Sequence, residues 1–151
     1  MGLDMYLKAK RYLSAHREED KAVIAEIESI APRGTMKPLE ITYEAAYWRK
    51  ANSIHNWFVQ NVQSGVDDCK TYYVSTQDLE TLLELCKQVE QGKNATLGAA
   101  LLPTTGGFFF GSTDYEDGYW YDIRNTIEQL EVAIAESKKD DHIYFEYYAS
   151  W

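Results

Sequence analysis

Leu3-Asp4-Met5-Tyr6-Leu7-Lys8-Ala9-Lys10 alternates apolar and polar side chains residue by residue. A period of two places Leu3, Met5, Leu7 and Ala9 on one side of an extended chain, the pattern of a strand with one buried face. The alternation returns at Leu39, Ile41, Tyr43, Ala45 and Tyr47 against Glu40, Thr42 and Glu44, which predicts a second strand. Residues 71–74 suit a short third strand, and residues 143–148 a β-rich, aromatic last one.

Helical spacing fills the intervals. Val23, Ile24, Ile27 and Ile30 share one face of a helix over 18–31, whose acidic first turn suits the helix dipole and which Pro32-Arg33-Gly34 stops. Ile54, Trp57, Phe58 and Val62 mark a helix over 51–62. Leu79, Leu82, Leu83, Cys86 and Val89 mark one over 76–91, with Ser75 and Asp78 placed to cap its start and Gly92 at the left-handed position after its end. Residues 93–103 read as a connection with a helical turn near 97–102. Trp120, Ile123, Ile127, Leu130 and Ile134 define a long helix over 115–137, opened by a Thr113/Glu116 capping pattern. The run Gly106-Gly107-Phe108-Phe109-Phe110-Gly111 reads as a strand buried on both faces or as a packed loop. About four helices interleaved with short strands give the α+β class: a small, largely antiparallel sheet with the helices packed on one face.

The 151 residues make one domain, with neither repeat nor composition break. At 45% hydrophobic and 14% aromatic, the chain carries enough apolar surface to exclude disorder. Fifteen basic against 24 acidic residues, a net charge of −9, disfavour a nucleic-acid partner. No apolar run is long enough to cross a membrane, and no signal peptide is visible, so the expected setting is a reducing cytoplasm with Cys69 and Cys86 as free thiols. The acidic residues sit at helix starts and turns, interspersed with Lys8, Lys10, Arg11, Arg17 and Lys21, which argues against mimicry of DNA.

The chain resembles a family of uncharacterised proteins of tailed bacteriophages and prophages. The resemblance rests on Met1-Gly2-Leu3-Asp4-Met5-Tyr6-Leu7, on Ala46-Tyr47-Trp48-Arg49-Lys50-Ala51-Asn52 with Ile54-His55-Asn56-Trp57-Phe58, and on Gly65-Val66-Asp67-Asp68-Cys69. It extends through Leu102-Pro103-Thr104 and Gly107-Phe108-Phe109-Phe110-Gly111-Ser112-Thr113 to Tyr148-Ala149-Ser150-Trp151, and so spans nearly the whole chain. It implies a phage gene product working in a bacterial cytoplasm and brings no catalytic residue with it.

Two residue groups carry candidate chemistry. His55 with Asp67, Asp68 and Cys69 holds the ingredients of cysteine-nucleophile catalysis, in which an imidazole activates a thiol and an acid orients the ring. The competing reading is a buried cysteine beside a solvated turn. The same residues lack the paired close spacing of a structural zinc site, so no metal and no cofactor are expected. Trp48, Arg49, Asn52, His55 and Asn56 form the densest mix of aromatic and polar groups and are the candidates for a ligand site, where an indole stacks a ring, Arg49 or Lys50 holds an anion and the amides hydrogen-bond. The competing reading puts the tryptophans in the core and hydrogen-bonds His55 inside it. A phosphate site at Gly111-Ser112-Thr113 is opposed by Asp114, Glu116 and Asp117. The aromatic C-terminal strand is expected to be either central or an edge that pairs with a second copy. The preferred expectation is a non-enzymatic accessory protein that binds a host macromolecule or a small ligand. The alternative is a small hydrolase or transferase built on His55.

Overall fold

The computed structural model describes residues 2–151. Among them are five helices and one four-stranded antiparallel sheet, in the order β1 (Asp4–Tyr12), α1 (Glu18–Ile30), β2 (Glu40–Arg49), α2 (Asn52–Asn61), β3 (Tyr72–Val74), α3 (Thr76–Gly92), α4 (Ala95–Leu101), α5 (Asp117–Ser137) and β4 (Ile143–Ser150). The α+β expectation holds, with α4 as a helix beyond the four read from periodicity. No helix among the described residues is long and apolar enough to cross a membrane.

The strands lie side by side as β2-β1-β4-β3, so the first and last strands of the chain form the middle of the sheet. Leu7 stands opposite Ala46 on one side and Tyr147 on the other. The N-terminal alternation is realised as read: Leu3, Met5, Leu7 and Ala9 are buried against the helices, while Lys8 is exposed and Tyr6 and Lys10 are half-buried on the far face. In β4 the inward set is Phe145, Tyr147 and Ala149. β4 is bonded to β1 along its length and to β3 from Phe145 to Tyr147, so of its two expected roles it takes the central one. From Phe145 to Tyr147 its backbone is bonded within the chain on both sides, and β3 does not extend beyond those residues.

The reading of β2 needs correction. Its buried residues are Ala46 and Trp48, whereas Tyr43 and Leu39 are exposed. A register shift between Leu7 and Lys8, where Leu7 faces Ala46 and Lys8 faces Glu44, leaves Ala45 as an extra residue. The bulged residue switches the inward set of the strand from Tyr43, opposite Ala9, to Ala46 and Trp48, opposite Leu7 and Met5. The outer edge of β2 is closed by Gln129 of α5, whose amide accepts the Tyr47 N–H at 2.8 Å and donates to the Tyr47 carbonyl at 3.1 Å. The side-chain amide thus stands where another strand's peptide group would.

α3 starts at a complete capping box, Ser75 and Asp78 each bonding the other's backbone N–H. At its end Lys93, not Gly92, takes the left-handed conformation. Gly92 is the last helical residue and lies against α4, where a Cβ would come 2.4 Å from the end of the Leu97 side chain and turn it aside. α5 begins two residues later than read, and Glu116, its N-cap, makes no side-chain cap, so the Thr113/Glu116 capping pattern is not formed.

α1 differs from the other helices. Its apolar residues Val23, Ile24 and Ile27 are only half-buried and Ile30 is 78% exposed. The one fully buried residue is Asp20. It accepts the Ser14 N–H at 2.8 Å and Arg17 Nε at 2.6 Å, and it pairs with Arg11 Nη1 at 2.6 Å, while Arg11 also donates to Asp140. α1 is therefore fastened to the end of β1 and to the turn before β4 by charge, where its neighbours are held by apolar packing.

Candidate functional site

α2 is nearly all buried because it lies across the helix-covered face of the sheet, with Ile54, Trp57 and Phe58 in the core. The side chains named from sequence are distributed around it unequally. Trp48 is not a stacking surface. It is 1% exposed, its ring lies 6.0 Å from that of Phe58, and its indole N–H donates to Thr126 Oγ1 at 2.9 Å. Arg49 is exposed and pairs with Asp4 at 3.2 Å.

Asn52 is buried and acts as a clasp. Its amide donates to the carbonyls of Phe110 and Ser112 and accepts the Thr105 N–H, at 3.0, 2.8 and 3.1 Å. These bonds pin the connection between α4 and α5, which has no regular structure of its own, against the start of α2. In that connection the Phe108-Phe109-Phe110 run is a loop. Phe110 turns inward over Gly107, where a Cβ would come 2.6 Å from the ring, while Phe108 and Phe109 are exposed.

His55 is fully buried and both ring nitrogens are engaged: Nδ1 with the Tyr147 hydroxyl at 2.7 Å and Nε2 with Asp67 Oδ2 at 2.9 Å. Asp67 spends its second oxygen on the indole N–H of Trp151 at 3.0 Å. The hydroxyl of Tyr147 has no other partner among the described residues. It therefore donates to Nδ1, the neutral ring carries its proton on Nε2, and that proton goes to the carboxylate. Burial, then the Asp67 charge, push the Tyr147 hydroxyl well above its ordinary range, so it remains a donor. This relay joins β4, α2 and the 65–69 loop with every ring nitrogen satisfied.

The remaining catalytic candidates do not join it. Asp68 accepts from Tyr72 at 2.9 Å and pairs with Lys70 at 3.0 Å, which together outweigh its desolvation and lower its carboxyl. Cys69 is half-buried in a left-handed turn and forms no hydrogen bond with His55, whose nitrogens are taken. Cys86, also a free thiol, is buried in the core, and burial pushes it up, away from thiolate chemistry. Of the four, only His55 and Asp67 converge, and a thiol–imidazole pair is not formed. Among the described residues no group of three or more His, Cys, Asp or Glu is placed to hold a metal ion.

Two concavities flank α2. A groove of about 350 Å³ runs along His55, Asn56 and Gln60 and is walled by Gly106, Gly107, Phe108 and Trp151. Asn56 is half-buried there and reaches the Pro103 carbonyl at 3.4 Å. On the other side a cleft of about 460 Å³ opens between Arg49, Lys50 and Ser53 and the start of α5. Tyr147, Trp151 and the α5 wall were not read from sequence as neighbours of His55 or Asn52. They lie some 55 to 100 positions from α2, and no local pattern connects them.

The relay has a measurable consequence. Tyr147→Phe keeps the 3.9 Å ring stack on Phe58 but leaves the buried Nδ1 of His55 without a donor. The expected loss is about 1–3 kcal/mol in urea-unfolding stability, the cost of one unsatisfied buried polar group.

Comparison of the chain with protein-family models, with curated proteins and with solved structures finds no match.

Proposed function

We propose that the protein is a non-enzymatic binding protein, an accessory product of a tailed phage acting in the bacterial cytoplasm, and that the groove between α2 and the 103–111 loop receives its partner. The observation that carries this reading is the contrast between the two sides of His55. The imidazole is buried and bonded at both nitrogens, so it has no free lone pair with which to activate a nucleophile. The groove beside it is rimmed by aromatic surface left open to solvent: Phe108, edge-on to Phe109, is 78% exposed, and Trp151, edge-on to Phe110, 48%. Exposed aromatics around a concavity are the composition of recognition surfaces, where a flat, rigid ring buries area at little entropic cost. The segment bearing Phe108 is held in place by Asn52, so the rim is set before any partner arrives. A partner that offers apolar or aromatic side chains fits this rim.

Affinity capture from host lysate with the wild-type chain and with Phe108→Ser is the test. A host component retained by the wild type and lost by the variant, with both chains melting at the same temperature, is the expected result. The alternative, a hydrolase or transferase built on His55, predicts turnover of ester, amide or phosphoester substrates that Asp67→Asn abolishes. That outcome would overturn the binding reading.

A further inference from the structure

The cleft beside α5 holds a carboxylate with no counter-ion. Asp122 lines it half-buried, and among the described residues its side chain takes part in no hydrogen bond and no ion pair. Burial pushes its carboxyl up to about 7, as expected of an acid taken from water without compensation. Ser53, 2% exposed, lines the same cleft, and its hydroxyl also has no hydrogen-bond partner among the described residues. Neither group is sealed off from the cleft, and polar atoms that face a cavity without a partner in their own chain are open to one from outside.

The cations of the chain do not serve this purpose. Arg49 is engaged by Asp4, and Lys50, which lines the same cleft, pairs with no carboxylate there, Asp122 included, among the described residues. Glu116 and Asp117 add negative charge at the mouth, and Tyr121, exposed, offers a ring face of the kind that attracts ammonium and guanidinium groups. We propose that this cleft binds a small organic cation, an amine or a guanidinium, whose charged end pairs with Asp122 and hydrogen-bonds to Ser53. A bare metal ion does not fit, because the acidic groups are not gathered closely enough to share one. The volume, about 460 Å³, admits a molecule of several heavy atoms. The site is separate from the aromatic groove, and neither depends on the other.

Isothermal titration of the full chain with putrescine and with agmatine tests the assignment. Saturable binding is expected at pH 8, weakened about tenfold at pH 6, where Asp122 takes up a proton and the ligand's ammonium or guanidinium stays charged. Arg49, Lys50, Asp114, Glu116 and Asp117 face the same cleft, so Asp122→Asn isolates the contribution of one carboxyl. This variant keeps the side-chain shape and removes a charge that burial disfavours, so it folds. It is expected to lose both the binding and its pH dependence. Absence of binding to either amine at pH 8, or equal binding by the wild type and Asp122→Asn, overturns the proposal.

Discussion

Asp20→Ala is expected to lower the melting temperature at pH 7 by about 6–20 °C, the range that follows from breaking a buried ion pair in a domain of this size. Asp20 has no exposed surface and holds three partners: the Ser14 N–H, Arg17 and Arg11. Removing it leaves the Ser14 N–H and one donor of each guanidinium without a partner where α1 meets β1, Arg11 keeping only Asp140 and Arg17 only the Tyr12 carbonyl. Burial raises the Asp20 carboxyl, but the Ser14 N–H and the two arginines outweigh it and hold it at about 2. A folded-state value below the ordinary 3.8 means that the stabilisation is fully present above pH 4 and lost as the pH falls through about 2. The gap between wild type and variant should therefore narrow between pH 4 and pH 2 in calorimetric scans. A gap that stays constant over that interval would show that the carboxylate is not the source. Because α1 buries no apolar side chain, limited proteolysis between residues 14 and 39 should accelerate in the variant before the rest of the chain is cut.

The second large effect is expected at Trp48. Replacement by alanine removes the largest fully buried side chain and should cost about 3–5 kcal/mol in urea unfolding. Trp48→Phe should cost less, because it keeps an aromatic ring near Phe58 and loses the bond to Thr126, whose hydroxyl still donates to the Asp122 carbonyl at 2.7 Å. A loss below about 1 kcal/mol for Trp48→Ala would contradict the core placement and return the indole to the list of ligand-stacking candidates.

Sequence periodicity located most of the elements because their apolar faces are local patterns. Leu3 to Ala9 is a strand wherever it is placed, and Leu79 to Val89 is a helix. Where the reading failed, the deciding contact was distant. One extra residue at Ala45 reversed the faces of β2 from Ala46 onward, a displacement that shows only when β1 is laid beside it. Gly92 was read as the left-handed residue after α3, but it closes the helix and Lys93 takes that conformation, while Gly92 lies against Leu97 of the next helix. The candidate site fared similarly. Residue types near His55 suggested an acid and a thiol, the latter fourteen positions on; the acid is Asp67, but the second partner is a tyrosine 92 positions away. Asn52 and Trp48 belong where the polar–aromatic mixture was dense, but that density reflects loop fastening and core filling. Spacing cannot distinguish an amide that holds its own chain from one that holds a ligand.

The arrangement of β1 beside β4 bears on when the protein can fold. Residues 7 and 147 are partners in the middle of the sheet, so nearly the whole chain must be synthesised before its central ladder can close. Until Ile143–Ser150 arrives, the inward faces of β1 and β3 lack the strand that joins them, and the core lacks Phe145, Tyr147 and Ala149. Assembly is consequently a late, concerted event, and the nascent chain carries uncovered apolar surface through most of its translation.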